Sequence, residues 1–551
     1  MNTTPHPHAL RCALNVAALA LVGGTAQAVT FETESLRGSF DSTLTIGTGI
    51  RMQKPDCGLI VSGAIGSGAP AGCLAPTSAL GDQGNLNYAK GDRFTTYLKG
   101  SHELLLKFPE DITFLGRLNW VRDFSSTDTT GYISATTPPN LTDGLSGDAR
   151  EDLRFKARVL DLWVSKSFQV GEQQARVRVG NQVISWGESL FLPGGINSTN
   201  AMDIMRLSQP GTQLKEVFLP APIVSVASGL GSGLNVEAYV QARWNGNYLP
   251  PTGSYWSVAN GLGEGHDAYG LAEVKAKNGG QWGLALRWQP EGTQLNLGAF
   301  AMNYHDKAPN FSINANGPGA IGWRYAENRR LFGVSANFPV GDWAVGTELS
   351  YRPKDAVALN AAVSGCSSQN GNCWVDEKKL QWHLTGILSI TPNTAGYVLK
   401  ALGADTATLL AEAVVISYPK LKRSYGGDPV SAGGWGWGQE FDPAGTPEAV
   451  GSKTSVGFNF DFSWTYDGTL IPGWQVTPGF YYFQAVKGRT PNGVALFMEG
   501  AKSVNFYVNL VQNPATWQAS INYAAFFGGK RVFDQPLRDR DFLGLTVSRN
   551  F

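Results

Sequence analysis

The chain has 551 residues, with 44 basic and 44 acidic side chains and only 16% charged residues. This balance gives no support to a nucleic-acid-binding protein, which needs a basic face. Glycine and aromatic residues are abundant, with 67 Gly, 27 Phe, 18 Tyr and 16 Trp. Such a composition suits short β-strands and interfacial aromatic belts. No linker, charge run or low-complexity segment divides the chain, which favours one continuous domain.

The N-terminal residues 1–28 have the pattern of a secretory signal peptide. Arg11 supplies the positive charge, residues 13–23 form a short apolar run, and Ala26-Gln27-Ala28 fits the A-x-A cleavage pattern. The run is too short to span a bilayer as a helix, which needs about 20 residues. We expect an exported chain that starts near Val29, with too few residues before the first strand for a plug or passenger domain.

Residues 29–551 alternate between amphipathic stretches and polar connections. Apolar residues at every second position are typical of strands that lie between two environments. This alternation predicts about 18 strands (16 to 18), at residues 40–52, 94–108, 112–124, 153–169, 175–186, 223–228, 234–244, 281–288, 294–304, 330–338, 343–352, 378–390, 407–418, 455–466, 475–486, 502–512, 516–526 and 541–551. The connections are alternately long and short, as in membrane barrels.

The faces of the predicted strands differ clearly in polarity. In the seventh strand, Leu234, Val236 and Val240 lie on one face, whereas Asn235 and Glu237 lie on the other. A soluble sandwich explains one such strand, but about a dozen of them favour lipid outside and water inside. The sequence therefore predicts an all-β fold, a transmembrane antiparallel β-barrel in the bacterial outer membrane with short periplasmic turns and long extracellular loops.

The cysteine residues agree with an exported protein. Apart from Cys12 in the signal peptide, they form two close pairs, Cys57 with Cys73 and Cys366 with Cys373, each inside a polar loop. An even number in an exported chain predicts disulfides, and we expect local pairing. The alternative is a zinc site, which would need C-x(2–4)-C spacings that the sequence lacks. We predict no metal and no cofactor.

The last eleven residues end on Phe551 and resemble the closing strand of a bacterial outer-membrane barrel. The resemblance implies that this terminal aromatic residue is the signal read by the barrel-assembly machinery. The alternative is an ordinary edge strand that happens to end in phenylalanine.

Residues 187–222, after the fifth strand, are too long and too apolar for a solvated loop. Met202, Leu207 and Phe218 are among several side chains there that need burial. We expect the segment to fold into the lumen as a plug or constriction; the alternative is a compact cap outside the barrel. Its candidate lumen residues are Trp186, Glu188, Asn197, Asp203, Lys215 and Glu216.

Basic residues alternate on neighbouring predicted strands and could form a stripe on the inner wall. They are Arg117, Arg154, Lys156, Arg158, Arg176 and Arg178. A positive stripe would favour anionic solutes. The alternative is that nearby carboxylates, among them Asp152, Asp161 and Asp203, neutralise it.

An enzyme has little support. Beyond the signal peptide there are four histidines, His102, His266, His305 and His383, and none lies in a catalytic or metal-binding motif. Only His383 shares the inward parity of polar neighbours, so it has either a structural or a lumen role. We predict no catalytic residues.

Several motifs resemble a large proteobacterial family of uncharacterised outer-membrane proteins, catalogued as a domain of unknown function. They are GNQ (180–182), SWGE (185–188), GSFDSTL (38–44), GNLNY (84–88) and LLAE (409–412). The resemblance covers essentially the whole exported chain. It implies a transport role, because members are often encoded beside an inner-membrane exporter of the resistance–nodulation–division type and a periplasmic lipid-binding-like protein. No catalytic residues carry over from the family.

The preferred hypothesis is a conduit for a hydrophobic or amphipathic small molecule, working with a periplasmic or inner-membrane partner. A substrate-selective diffusion porin is the second hypothesis. A structural or adhesive surface barrel, using disulfide-pinned loops, is the third. Lipids, lipopolysaccharide and the assembly machinery are the other expected partners.

Overall fold

The computed structural model describes residues 29–56, 59, 84–129, 145–259, 261–360, 365–432, 450–493, 495–530 and 534–551. This part of the chain forms a closed antiparallel barrel of 18 strands, which confirms the predicted fold class. The strands, β1 to β18 in chain order, are Leu36–Arg51, Arg93–Phe108, Ile112–Asp123, Phe155–Val170, Gln173–Gln182, Ala221–Gly231, Leu234–Gln241, Gln281–Trp288, Asn296–Tyr304, Arg329–Val340, Trp343–Ala358, Trp374–Ile390, Thr406–Ser417, Thr454–Ile471, Trp474–Lys487, Ala501–Gln512, Trp517–Gly528 and Phe542–Asn550. The signal-peptide prediction, Cys57 and Cys73 lie outside the described residues.

The barrel closes between its first and last strands. β18 pairs with β1 from Thr43 opposite Asn550 to Arg51 opposite Phe542. Beyond this ladder, the short strand Val29–Thr33 folds back onto the start of β1. Phe551 joins the ladder through its backbone, because its N–H donates to the Ser42 carbonyl at 2.7 Å. The role of Phe551 in assembly stays a prediction.

Long connections lie at one end of the barrel and short turns at the other. Three short helices occupy long connections: α1 (Gly84–Asn87), α2 (Gly147–Arg154) and α3 (Ile204–Ser208). A longer helix, α4 (Pro392–Leu402), lies at the short-turn end. Strands of two or three residues also occur in the loops, at Ala201–Met202, Phe218–Leu219, Ala272–Val274, Asn310–Ser312, Gly322–Arg324, Ser424–Tyr425 and Asp428–Pro429. Within the described residues, no helix is long and apolar enough to cross a membrane.

Several predicted strand boundaries differ from the structure, and two of these differences have local reasons. The predicted start of β4 belongs to α2, where the Ser146 side chain caps the helix by accepting from the Ala149 N–H. Arg154 is therefore the last residue of a helix and not part of a strand. β5 ends at Gln182, because its ladder with β6 ends there and the backbone of Ile184 bonds to the Asn200 side chain instead.

One disulfide lies in the connection between β11 and β12. Cys366 and Cys373 are joined there, with their Cα atoms 5.2 Å apart. This is the local pairing that the spacing predicts.

The outer face of the barrel is apolar and the inner face is polar. On β10, Phe332 and Val334 are exposed on the outside, whereas Ser335 is buried on the inside. Exposed Leu349, Trp382 and similar residues extend the apolar surface around the barrel. The alternation in the sequence therefore corresponds to side chains that face outward and side chains that face the lumen in turn.

The depth dependence of this outer face is testable on one strand. Val334, in the middle of β10, and Val340, at its short-turn end, face the same way and are 55% and 53% exposed. We expect Val334→Arg to cost about 2–4 kcal/mol in lipid vesicles, because the charge would lie in hydrocarbon. Val340→Arg should cost about 0–1 kcal/mol near the interface. Urea unfolding in vesicles measures both, and equal costs would contradict a membrane-spanning β10.

Candidate functional site

The segment between β5 and β6 (residues 183–220, here the β5–β6 segment) contacts the inner wall along much of its length. At its start Trp186 is buried and donates its indole N–H to the Glu237 carboxylate at 2.9 Å. Its ring packs against Tyr239 and Phe300. Arg287 donates to the Trp186 carbonyl at 3.0 Å. The start of the segment is thus fixed to β7, β8 and β9.

The next part of the segment is held by Glu348 on β11. The two carboxylate oxygens accept the backbone N–H groups of Glu188 and Ile196, at 2.6 and 2.9 Å. Gly195 lies between them with φ +58°, and a Cβ there would lie 1.8 Å from a Glu348 oxygen. Glycine is therefore required for this close approach. Arg352, on the same strand, donates to the Gly195 carbonyl at 3.1 Å.

A second buried carboxylate, Glu412 on β13, holds the part of the segment between the two Glu348 contacts. It accepts the N–H groups of Phe191 and Leu192 at 2.7 and 2.9 Å. Its other oxygen lies 2.8 Å from Nδ1 of His383, whose Nε2 lies 2.8 Å from the amide nitrogen of Gln381. This pattern fits a neutral imidazole that donates from Nδ1 and accepts at Nε2. His383 therefore positions Glu412 from inside the wall.

The far end of the segment is fixed to the opposite wall. Lys99 on β2 donates to Glu216 at 2.7 Å, and Asn119 on β3 donates to the other oxygen of the same carboxylate at 2.9 Å. The Tyr97 hydroxyl donates to the Pro210 carbonyl at 2.6 Å. Because β11–β13 hold one part and β2–β3 the other, the segment crosses the barrel interior.

Asp203 ties the middle of the segment to β4. Its carboxylate caps α3 by accepting the Arg206 N–H at 2.9 Å, and it also binds Arg158. The Arg158 guanidinium lies over the Tyr248 ring at 4.3 Å. This contact joins the segment to the loop that follows β7.

The six candidate lumen residues have different environments. Trp186, Glu188, Asp203 and Glu216 are bound to the wall as described. Asn197 accepts the N–H groups of Trp186 and Gly187 and so stabilises the segment internally. Lys215 is exposed. The wall contacts also include Glu348, Arg352 and Lys99, which were not among the predicted site residues. The available signal was a charged residue at an inward-facing position within a strand.

The six basic residues do not form one continuous stripe. Arg117 is paired with Glu103 and Asp161, each at 2.7 Å. Lys156 and Arg158 are paired with Asp152 and Asp203. Arg154 lies exposed on α2.

The remaining two basic residues, on β5, keep their charge available to the lumen. Arg176 and Arg178 form no ion pair with any residue that the structure describes. The Arg178 guanidinium lies over the Trp163 ring at 4.3 Å. Three of the six basic residues in the predicted stripe are therefore paired with carboxylates.

Two cavities lie on opposite sides of the β5–β6 segment. The upper chamber, on the long-loop side, has a volume of about 350 Å³ and includes Asp306, Arg352 and Lys379 in its lining. The lower chamber, on the short-turn side, has about 330 Å³ and is lined by Glu188, Asn337 and others. Leu190 lines both chambers. The segment therefore separates the two spaces at this side chain.

Two adjacent loop residues of the upper chamber have strongly shifted acidities. Enclosure by the loops raises the pKa of the Asp306 carboxyl from 3.8 to about 7, although Arg329 opposes this shift. Burial lowers the pKa of the Lys307 ammonium from 10.5 to about 7, and Asp306 opposes this shift. Both groups therefore change protonation near neutral pH.

The fold and the site define a class of protein, a closed barrel whose interior is crossed by one anchored segment. The chain belongs to the family described as "Protein of unknown function (DUF1302)", whose model matches residues 9–551. This confirms the family resemblance, although not the genomic neighbours that it implies. No curated protein sequence matches the chain.

Solved barrels resemble the chain only distantly. OpdK of Pseudomonas aeruginosa, solved with vanillate, is 11% identical at a TM-score of 0.41, covering 93% of this chain and 98% of its own. OccAB1 of Acinetobacter baumannii is 11% identical at 0.42, covering 96% and 98%. OmpF of Salmonella typhi, solved with daunomycin, is 9% identical at 0.39, covering 95% and 100%. At these values the likeness carries no inference about a solute.

The hold of Glu348 on the segment can be tested by hydrogen exchange. We expect Glu348→Gln to replace one charge-assisted acceptor with an amide donor, at a cost of about 1–3 kcal/mol. Amide exchange at Glu188 and Ile196 should then become about 5- to 150-fold faster. Glu103→Gln is the matched control. Among the described residues, Glu103 pairs with Arg117 of the neighbouring strand and not with the β5–β6 segment. Unchanged exchange at both amides would refute the assignment.

The shifted acidity of Asp306 predicts a pH-dependent stability. Since its pKa is raised from 3.8 to about 7, the ionised carboxyl is disfavoured in the folded barrel. Its contribution to the free energy of unfolding therefore falls as pH rises from about 4 to 7, and levels off above. Asp306→Asn should gain stability over the parent across this range, measured by urea unfolding. A difference that is constant from pH 4 to 8 would contradict this prediction.

Proposed function

We propose that the protein is an outer-membrane transport conduit for a hydrophobic or amphipathic small molecule. The closed barrel supports a membrane location, because all of its ladder hydrogen bonds are made between strands. The apolar outer face gives the same support, since residues such as Val334 and Trp382 would otherwise contact water. The separation of long loops from short turns fits extracellular loops and periplasmic turns.

The proposal of a conduit rests on Leu190, the residue at which the β5–β6 segment separates the two chambers. Two chambers of similar size lie along the barrel interior, and this one side chain borders both. It lies between two anchored points, the Glu188 N–H on Glu348 and the Phe191 N–H on Glu412. A fixed backbone with an apolar residue between two chambers is an arrangement that suits a hydrophobic constriction. We assign residues 187–222 the role of plug or constriction.

A substrate-selective diffusion porin is the alternative, and one observation favours it. The cavity of about 230 Å³ near the short turns is lined by Arg176, Arg287 and Glu237, which gives a local excess of positive charge. Such a lining would attract small anions without any moving part. The third candidate, a structural or adhesive barrel, draws support only from the disulfide-pinned loop.

The proposed partners follow from a conduit in this membrane. Lipids and lipopolysaccharide contact the outer face, and the assembly machinery inserts the barrel. A periplasmic lipid-binding-like protein or an inner-membrane exporter would deliver or collect the solute at the short-turn end. The exposed Tyr397 on α4 is a position at which such a contact can be probed.

The partition at Leu190 predicts a change in conductance. We expect the refolded parent protein to conduct weakly in a planar bilayer, and Leu190→Ala to conduct severalfold more, because the side chain no longer separates the chambers. Leu207→Ala is the matched control, since Leu207 belongs to the same segment but lines neither chamber.

Reversal potentials in a salt gradient complete the same experiment. A parent barrel that already conducts steadily with anion preference would favour the diffusion porin. No conductance in either barrel would contradict the conduit.

A further inference from the structure

The upper chamber combines charged and apolar residues in the lining of one cavity. Its volume of about 350 Å³ lies in the range of small-molecule sites, roughly 300–1,000 Å³. Its charged lining residues are Asp306, Lys307, Arg352, Asp355 and Lys379. Arg352, Lys379 and Lys307 are each more than nine-tenths buried.

The formal charges in this lining leave an excess of one positive charge. The Asp355 carboxylate already has partners. It accepts hydrogen bonds from Tyr418 and Asn492 and lies near both Arg352 and Lys379. Counted as formal charges, Asp306 and Lys307 cancel, and Arg352 with Lys379 outweighs Asp355 by one.

Polar groups in the same lining lack partners. The Arg352 Nε–H donor is buried and has no hydrogen-bond partner among the described residues. The Lys379 ammonium has a carboxylate oxygen of Asp355 at 3.6 Å, which is too far for a good hydrogen bond. Burying donors without partners is costly. An anion in the chamber would supply the missing acceptors.

The lining also has an apolar part. It consists of Leu190, Leu192, Met202, Ile204, Phe218, Ile416 and Leu496. The β5–β6 segment supplies five of these seven, so the tail of a ligand would lie against the segment that forms the constriction. A short alkyl chain gains affinity from such a surface.

We propose that the upper chamber binds an amphipathic monocarboxylate, with its head near Arg352, Lys379 and Lys307 and its tail against the apolar part of the lining. This inference rests on the proposed function, because it names the solute class of the same conduit. The ligand is a monoanion, since the lining has one uncompensated positive charge. It is amphipathic, since charged and apolar residues line the same cavity.

The test uses the full chain refolded in amphipol, titrated calorimetrically with octanoate, hexanoate and octyltrimethylammonium. We expect saturable octanoate binding, at least tenfold tighter than that of the cation of matched length. Hexanoate should bind about 15-fold more weakly than octanoate, because each methylene contributes about fourfold. Equal binding of octanoate and octyltrimethylammonium, or no saturable binding of octanoate, would overturn the inference.

Variants locate the head group. Lys379→Met should weaken octanoate binding about 10- to 100-fold, because it removes a charged donor and keeps the stem. Lys307→Met is the second variant, in case the first fails to fold. Lys215→Met is the control, since Lys215 is exposed in the same segment and does not line the chamber. Unchanged affinity in the folded chamber variants would overturn the site.

The conductance of the Leu190→Ala barrel separates the two proposals. A conducting barrel that does not bind octanoate would reject the monocarboxylate and leave the conduit. Octanoate binding that depends on Lys379 or Lys307 in a barrel that never conducts would support the binding site and reject the conduit.

Discussion

Two carboxylates buried in the barrel wall hold the β5–β6 segment in place. A segment that leaves the ladder loses its interstrand partners, yet its backbone N–H groups still need acceptors. Glu348 and Glu412 provide four acceptor contacts to such groups, all between 2.6 and 2.9 Å. A backbone donor compensates a buried carboxylate, so each group satisfies the other. This exchange allows a segment outside the barrel ladder to cross the barrel interior.

Supporting residues make this arrangement specific. His383 donates to Glu412 and is in turn contacted by Gln381, which fixes the direction in which the carboxylate points. Gly195 allows the backbone to approach Glu348 closely, since any Cβ would collide with that carboxylate. A single substitution at these positions therefore changes the path of the segment more than it changes the barrel. Different residues therefore determine the structure of the wall and the path of the segment that crosses it.

The barrel could be predicted from the sequence, whereas most of the site could not. Period-2 alternation gave the bounds of β8 at residues 281–288, as observed, because each of its residues faces either lipid or lumen. The alternation failed at α2, where a local N-cap at Ser146 decides the structure. Glu348 looked like any inward polar residue, because its partner Glu188 lies 160 positions away. Long-range pairing of this kind leaves no local pattern.

The anchoring also decides how a passage through the segment would open. Releasing the segment would break several hydrogen bonds to charged groups, each contributing about 1.5–3 kcal/mol. Changing the rotamer of one leucine costs far less. Leu190 lies between the points fixed by Glu348 and Glu412, so a change of its rotamer would leave these backbone hydrogen bonds intact. A solute that packs against this side chain from the upper chamber would therefore act on the constriction directly, without unfolding the segment that carries it.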